Sequence, residues 1–143
     1  MNFTSLPKYK HRLLFFSPYF YPYISGITTY PKLLFSQLSS EYEVTVLTFK
    51  HDKSLPSIEI IDGVKVVRMQ YLFRISKGFV SPQSLIYFLK EMYCANVLVV
   101  NLPNIEGTAL VFLAKILRKP SLGFYHCQVA LESTLFRRII SEI

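Results

Sequence analysis

The chain has 143 residues, 51% of them hydrophobic, and a formal net charge of +7. That length fits one domain, and the apolar, weakly charged composition excludes a disordered chain. The positive balance favours anionic partners such as phosphates, anionic lipids or nucleic acid, but no long basic block selects among them.

Residues 12–16 (RLLFF) are short, apolar and stopped by Ser17-Pro18, which predicts a buried strand. Residues 27–39 predict a helix, with Ile27, Tyr30, Leu33, Leu34 and Leu38 on one apolar face. Its start falls near Gly26 to Thr28, which places Pro31 about one turn in, where a missing N–H costs little. Residues 43–48 (EVTVLT) alternate and are β-branched, as a strand requires. A loop then leads into an extended segment, a turn at Asp62-Gly63 and a strand to Met69.

Residues 74–81 (RISKGFVS) are expected to be a loop. Residues 82–93 predict a helix with Ser81 as N-cap and Pro82 in first position. Residues 96–101 predict a buried strand, and residues 105–118 a helix ended by Pro120, with Glu106 and Thr108 as its capping candidates. Residues 121–126 predict a further strand, and residues 132–143 a last helix. Strands alternating with helices, with near-continuous apolar strands, predict an α/β, Rossmann-like doubly wound domain. Its sheet is mainly parallel, with helices on both faces, and follows an N-terminal tail of residues 1–11.

Cys94 and Cys127 form no disulfide framework and read as small buried residues of a reducing compartment. His11, His51 and His126 are far apart, with no Cys/His cluster, so neither a metal nor a cofactor is expected. No apolar run reaches the roughly 18 residues that span a bilayer, and the N-terminus lacks a secretory pattern. The expectation is a cytosolic protein.

The stretch from Ser17 to Tyr30 is crowded with proline, tyrosine and serine around a single glycine, Gly26. It follows the first strand and leads into the first helix. Ligands of such sheets bind beyond the strands' carboxyl ends, and a helix N-terminus offers free amides to an anion. Neither GxGxxG nor GxxxxGK[ST] is present, which disfavours a nicotinamide or Walker-type site. On the residues alone, the loop is either an anion site or a long connection packed by its aromatics.

Read together, Phe20, Pro22, Gly26, Ile27, Leu34, Leu38 and EVTVLT match in order a phrase like FxPxxGGIxxxxxxLAxxLxxxGHEVTVLT. DGVKVVRM resembles the strand that follows it, and FYHCQV (124–129) resembles a TYHxD stretch. From about Arg12 onward the chain resembles the N-terminal domain of family-4 glycosyltransferases of the GT-B fold. That resemblance implies the acceptor-side half of an enzyme that transfers a sugar from a nucleotide-diphosphate sugar to a lipid-linked or glycan acceptor. Transfer would be retaining and metal-independent.

The resemblance implies that Ser25, Gly26, Ile27 and Thr28 face the donor diphosphate, and that Tyr19, Tyr21 and Tyr23 meet the acceptor. It implies a cleft contact for His126 near the transferring sugar. The family's double glycine is Ser25-Gly26 here, and its TYHxD acid is Gln128. The chain stops at Ile143, so the expectation is a half-enzyme that is inactive without a C-terminal donor domain or a partner chain.

Relatives of this kind bind anionic membrane, and three mixed patches are candidates for that contact. They are Lys8, Lys10, His11 and Arg12; Lys77 with Phe79; and Arg137-Arg138 with Leu135, Phe136 and Ile139. They would make the protein peripheral on the cytoplasmic membrane face. The competing reading is a stand-alone Rossmann-like module that binds an anionic ligand or docks a partner without chemistry. Nucleic acid is not expected, since no RNA-binding motif or dense basic stripe is present.

Overall fold

A computed structural model describes residues 10–75 and 78–125. In chain order the elements are β1 (Arg12–Phe16), α1 (Gly26–Leu38), β2 (Glu43–Phe49), β3 (Ile58–Ile61), β4 (Val64–Met69) and β5 (Phe73–Ile75). There follow β6 (Gly78–Val80), α2 (Pro82–Cys94), β7 (Val97–Leu102), α3 (Ile105–Ile116) and β8 (Ser121–Tyr125). Six strands form one sheet in the order β3-β4-β2-β1-β7-β8. Only the edge strand β3 is antiparallel to its neighbour; every other adjacent pair is parallel. The α/β, Rossmann-like sheet expected from the sequence is therefore present.

Strand side chains alternate between faces, and the core divides accordingly. Leu14, Phe16, Leu47, Phe49, Val67, Met69, Leu98 and Val100 pack with Phe88 and Met92 of α2 and Leu110 and Ala114 of α3. The intervening residues Leu13, Phe15, Val44, Val46, Val64, Val66 and Val99 pack instead with Phe35 of α1. Phe16 sits edge-on to both Phe49 and Phe88, with ring centroids 6.1 and 5.4 Å away. Such edge contacts add to burial because the positive ring edge meets a negative face.

Local chemistry sets the element ends. Ser81 accepts the Ser84 N–H at 3.2 Å, with Pro82 in the first turn of α2, as the sequence predicts. Asp62 and Gly63 form the β3–β4 turn with φ of 49° and 81°, the pairing that a tight hairpin with the sheet's own twist demands. Lys119 closes α2 from outside, its ammonium donating to the Tyr93 and Ala95 carbonyls at 3.0 and 2.5 Å.

Three expectations are corrected. Residues 73–80 are not a plain loop: β5 and β6 pair as a small antiparallel hairpin. Phe79 is not part of a surface patch. It is buried and stacks on Phe49 at 4.4 Å, because three-residue strands cannot hold together without docking to a core. Cys94 is exposed at the last turn of α2, where it lines a cavity with Arg12, Thr45 and Lys65. The N-terminal patch is also partly engaged: Lys10 donates to the Ser39 carbonyl, and Arg12 pairs with Glu43 at 3.1 Å. Among the described residues no helix is long and apolar enough to cross a membrane.

Gly63 tests the turn. A Cβ there would lie 2.8 Å from the Ser39 hydroxyl as well as in the left-handed region. Gly63→Ala is expected to lower unfolding free energy by about 1–2 kcal/mol in urea denaturation. An unchanged midpoint would mean that the turn relaxes without cost.

Candidate functional site

The strand order reverses between β1 and β7, so their carboxyl ends open a crevice. Ser17 follows β1 there, Asn101 lies near the end of β7, and α1 and α3 begin beside them. Two cis peptide bonds, Tyr21–Pro22 and Leu102–Pro103, lie in the two loops.

Asn101 joins these parts. Its side chain is buried, and its Nδ2 donates to the Ser17 hydroxyl at 3.0 Å and the Ile27 carbonyl at 3.1 Å. The Ile27 carbonyl needs such a donor. Four residues on, where a helix would supply an N–H, stands Pro31, buried inside α1 and without one. The sequence expects the missing N–H of Pro31 to cost little about one turn in; with α1 starting at Gly26 it is the sixth residue of the helix, and Asn101 fills the gap it leaves. This also fixes the amide's orientation, since only nitrogen can donate to a carbonyl. Asn101 Oδ1 is buried without a partner.

The loop residues singled out by the sequence divide into groups. Ser25 is the N-cap of α1, with φ of −162°, an extended conformation that any residue adopts. The missing second glycine therefore costs the backbone nothing. Thr28 is buried; its hydroxyl accepts the Ser25 N–H at 2.9 Å and donates to the Tyr23 carbonyl at 2.5 Å. The Thr28 N–H is taken by the Ser25 carbonyl at 3.1 Å. That leaves the amides of Gly26 and Ile27 as the open first-turn donors. A Cβ at Gly26 would meet nothing within 4 Å, so space lies directly in front of this turn.

Tyr21, Tyr23 and Thr28 line one cavity of about 220 Å³ with Ile24, Thr29, Lys32 and Leu33. The Lys32 ammonium lies 4.5 Å from the Tyr21 ring centroid and pairs with Asp62 at 3.2 Å. Tyr19 is not in that cavity. It stacks on Tyr23 at 4.7 Å and meets Phe79 edge-on at 5.7 Å, with the Arg74 guanidinium 5.8 Å from its ring. His126 lies outside the described residues.

Three polar residues near these loops have roles that the sequence did not show. Glu106 is not a cap. Asn104 caps α3 by accepting the Gly107 N–H at 2.5 Å, while the buried Glu106 carboxylate accepts the Phe79 N–H and so holds the β5–β6 hairpin. The second Glu106 oxygen, Oε2, is buried without a partner. Arg68 points its fully buried guanidinium at the Tyr21 carbonyl (2.9 Å), the Pro56 carbonyl (3.2 Å) and the Glu59 carboxylate. It therefore ties the tyrosine loop to the β3 edge.

His51, just past β2, meets Tyr23 edge-on at 5.5 Å, and its Nδ1 is buried without a partner. Burial, then the nearby Arg68 charge, pull its pKa below the ordinary 6.5, against a smaller upward pull from Asp52. Asp52 is itself pulled down by hydrogen bonds from the Ser54 N–H and hydroxyl.

No protein-family model matches the chain, and no curated protein matches it in sequence.

The His51 shift has a sign that can be measured. Its folded pKa is lowered, so the unfolded chain binds the proton first, and stability is fully present only above pH 6.5. Stability should fall as pH drops from 6.5 through the lowered folded value, then stop changing on this account. His51→Asn is expected to flatten that slope in urea titrations between pH 7 and 5. An identical slope in the variant would remove His51 as its source.

Proposed function

We propose that this chain is the acceptor-side domain of a glycosyltransferase that moves a sugar from a nucleotide-diphosphate sugar to an acceptor. The observation that carries the reading is the first turn of α1. The open amides of Gly26 and Ile27 stand at the carboxyl end of the sheet, in front of empty space. That is the equipment needed to receive a diphosphate from across a cleft. The adjoining cavity with Tyr21, Tyr23 and Lys32 supports the acceptor role, since tyrosine faces and hydroxyls suit sugar rings. The ordered resemblance from Phe20 to EVTVLT adds the reaction class.

In this reading the chain positions and does not itself complete the transfer. A donor-binding half, on the same or another chain, supplies the remaining contacts to the nucleotide. The Gly26 and Ile27 amides stabilise charge on the departing diphosphate, and the tyrosine cavity holds the acceptor hydroxyl beside the reacting carbon of the sugar. A ligand-binding module without chemistry would use the same open amides, and an assay of transfer separates the two.

The test uses the protein as purified from its source cells, with any chain or domain joined to it. Over a panel of nucleotide-diphosphate sugars, one should give acceptor-dependent release of nucleoside diphosphate. Gly26→Val should cut that release at least tenfold. Its melting temperature should shift by less than about 4 °C, the effect of roughly 1 kcal/mol at this size. Unaltered release in Gly26→Val, or no release with any sugar, would contradict the reading.

A further inference from the structure

A second cavity, of about 370 Å³, opens at the carboxyl ends of the neighbouring strands β2 and β4. It is lined by Lys50, His51 and Lys53 from one side and by Gln70, Tyr71 and Leu72 from the other. Two lysines and an imidazole thus face a cavity to which no lining residue brings a carboxylate. One carboxylate, Asp52, stands between His51 and Lys53 in the chain, held by the Ser54 N–H and hydroxyl at 2.8 and 2.7 Å, and Glu59 pairs with Arg68. The buried Arg68 charge behind His51 adds to the positive potential.

The donors are also placed to be used. Lys50 is weakly held, its ammonium 3.3 Å from the Ser57 hydroxyl. The half-buried His51 ring lines the cavity beside it. Gln70 adds an amide and Tyr71 a hydroxyl to the lining, while the Tyr71 ring is fixed edge-on against Phe49 and Phe79 at 6.3 and 4.9 Å. A cluster of basic donors that outnumbers the carboxylates beside it recruits an anion to a concave site. A lone phosphate would leave most of this volume empty, and the cavity is of ligand-pocket size. Tyr71 and Leu72 offer the remaining wall to a ring.

We infer that this pocket binds a phosphate monoester of a ring-bearing small molecule, such as a sugar phosphate. The phosphate lies among Lys50, His51 and Lys53, and the ring lies against Tyr71 and Leu72. The site does not depend on sugar transfer. It lies apart from the open turn of α1 and meets the tyrosine loop through the Tyr23–His51 ring contact and through Phe79, which touches both Tyr71 and Tyr19.

The experiment is an NMR titration of the ¹⁵N-labelled chain at fixed ionic strength, with inorganic phosphate, glucose 1-phosphate and glucose as probes. Glucose 1-phosphate should shift the amides of residues 50–53 and 70–72 along a saturating curve. It should bind at least fivefold tighter than inorganic phosphate, and glucose alone should leave those amides unmoved. Lys50→Met with Lys53→Met should weaken binding at least tenfold. Lys90→Met, which removes an exposed charge from α2, should change it less than twofold.

Equal loss in Lys90→Met would overturn the inference, since binding would then follow net charge. So would shifts confined to Gly26 and Ile27, a result that would instead favour the reading of the α1 turn. Equal affinity for inorganic phosphate and glucose 1-phosphate would overturn the role given to Tyr71 and Leu72.

Discussion

The carboxyl end of this sheet depends on one hydrogen-bonded side chain, Asn101. A proline inside α1 removes the N–H that the Ile27 carbonyl requires. A fully buried carbonyl left in that state costs about 1–3 kcal/mol, and this part-buried one somewhat less. The Asn101 amide supplies the missing donor from β7 and also grips Ser17 at the end of β1, 84 residues away in sequence. The position of α1 over the crevice is thereby fixed by the neighbouring strand. The open amides of Gly26 and Ile27 are aimed by the same contact, because they lie on the turn that Asn101 holds.

Two further buried polar groups repeat this arrangement at larger radius. Arg68, on β4, holds the Tyr21 and Pro56 carbonyls and the Glu59 carboxylate. Glu106, on α3, holds the Phe79 N–H of the β5–β6 hairpin. Charge-assisted bonds of this kind are worth roughly 1.5–3 kcal/mol, more than neutral ones. Together the three side chains pin the loops that frame both cavities. The framing loops are thus tied to the core at fixed points, which favours pre-organised binding.

Features encoded by near neighbours were legible in the sequence. The apolar runs at 12–16, 43–48 and 96–101 gave strands, Ser81-Pro82 gave a helix start, and Asp62-Gly63 gave a turn. Each of these depends on residues within one turn or one strand. Features encoded at long range were not legible. Glu106 reads as a first-turn acid suited to capping, and only the folded chain brings Phe79 to it across 27 residues. The three-residue strands β5 and β6 are too short to show a period. Arg68 sits in an otherwise mostly apolar strand, VKVVRM, and nothing local says that its guanidinium is buried. Within the tyrosine loop, the aromatic crowding was plain, but the sequence could not say that Tyr19 turns to the core while Tyr21 and Tyr23 line a cavity. The basic pocket at Lys50, His51 and Lys53 was missed because its other wall, at residues 70–72, joins it only through the pairing of β2 with β4.

The pairing of Asn101 with the gap left by Pro31 can be measured directly by a double-mutant cycle in urea. Asn101→Ala in the natural chain should cost about 1–3 kcal/mol, since it leaves the buried Ser17 hydroxyl and the part-buried Ile27 carbonyl unsatisfied. Pro31→Ala returns an N–H to the Ile27 carbonyl. In that background Asn101→Ala should cost at least 1 kcal/mol less, well beyond the additivity expected of uncoupled sites. An equal cost in the two backgrounds would mean that Asn101 does not serve the proline gap, and the account of how α1 is aimed would fail.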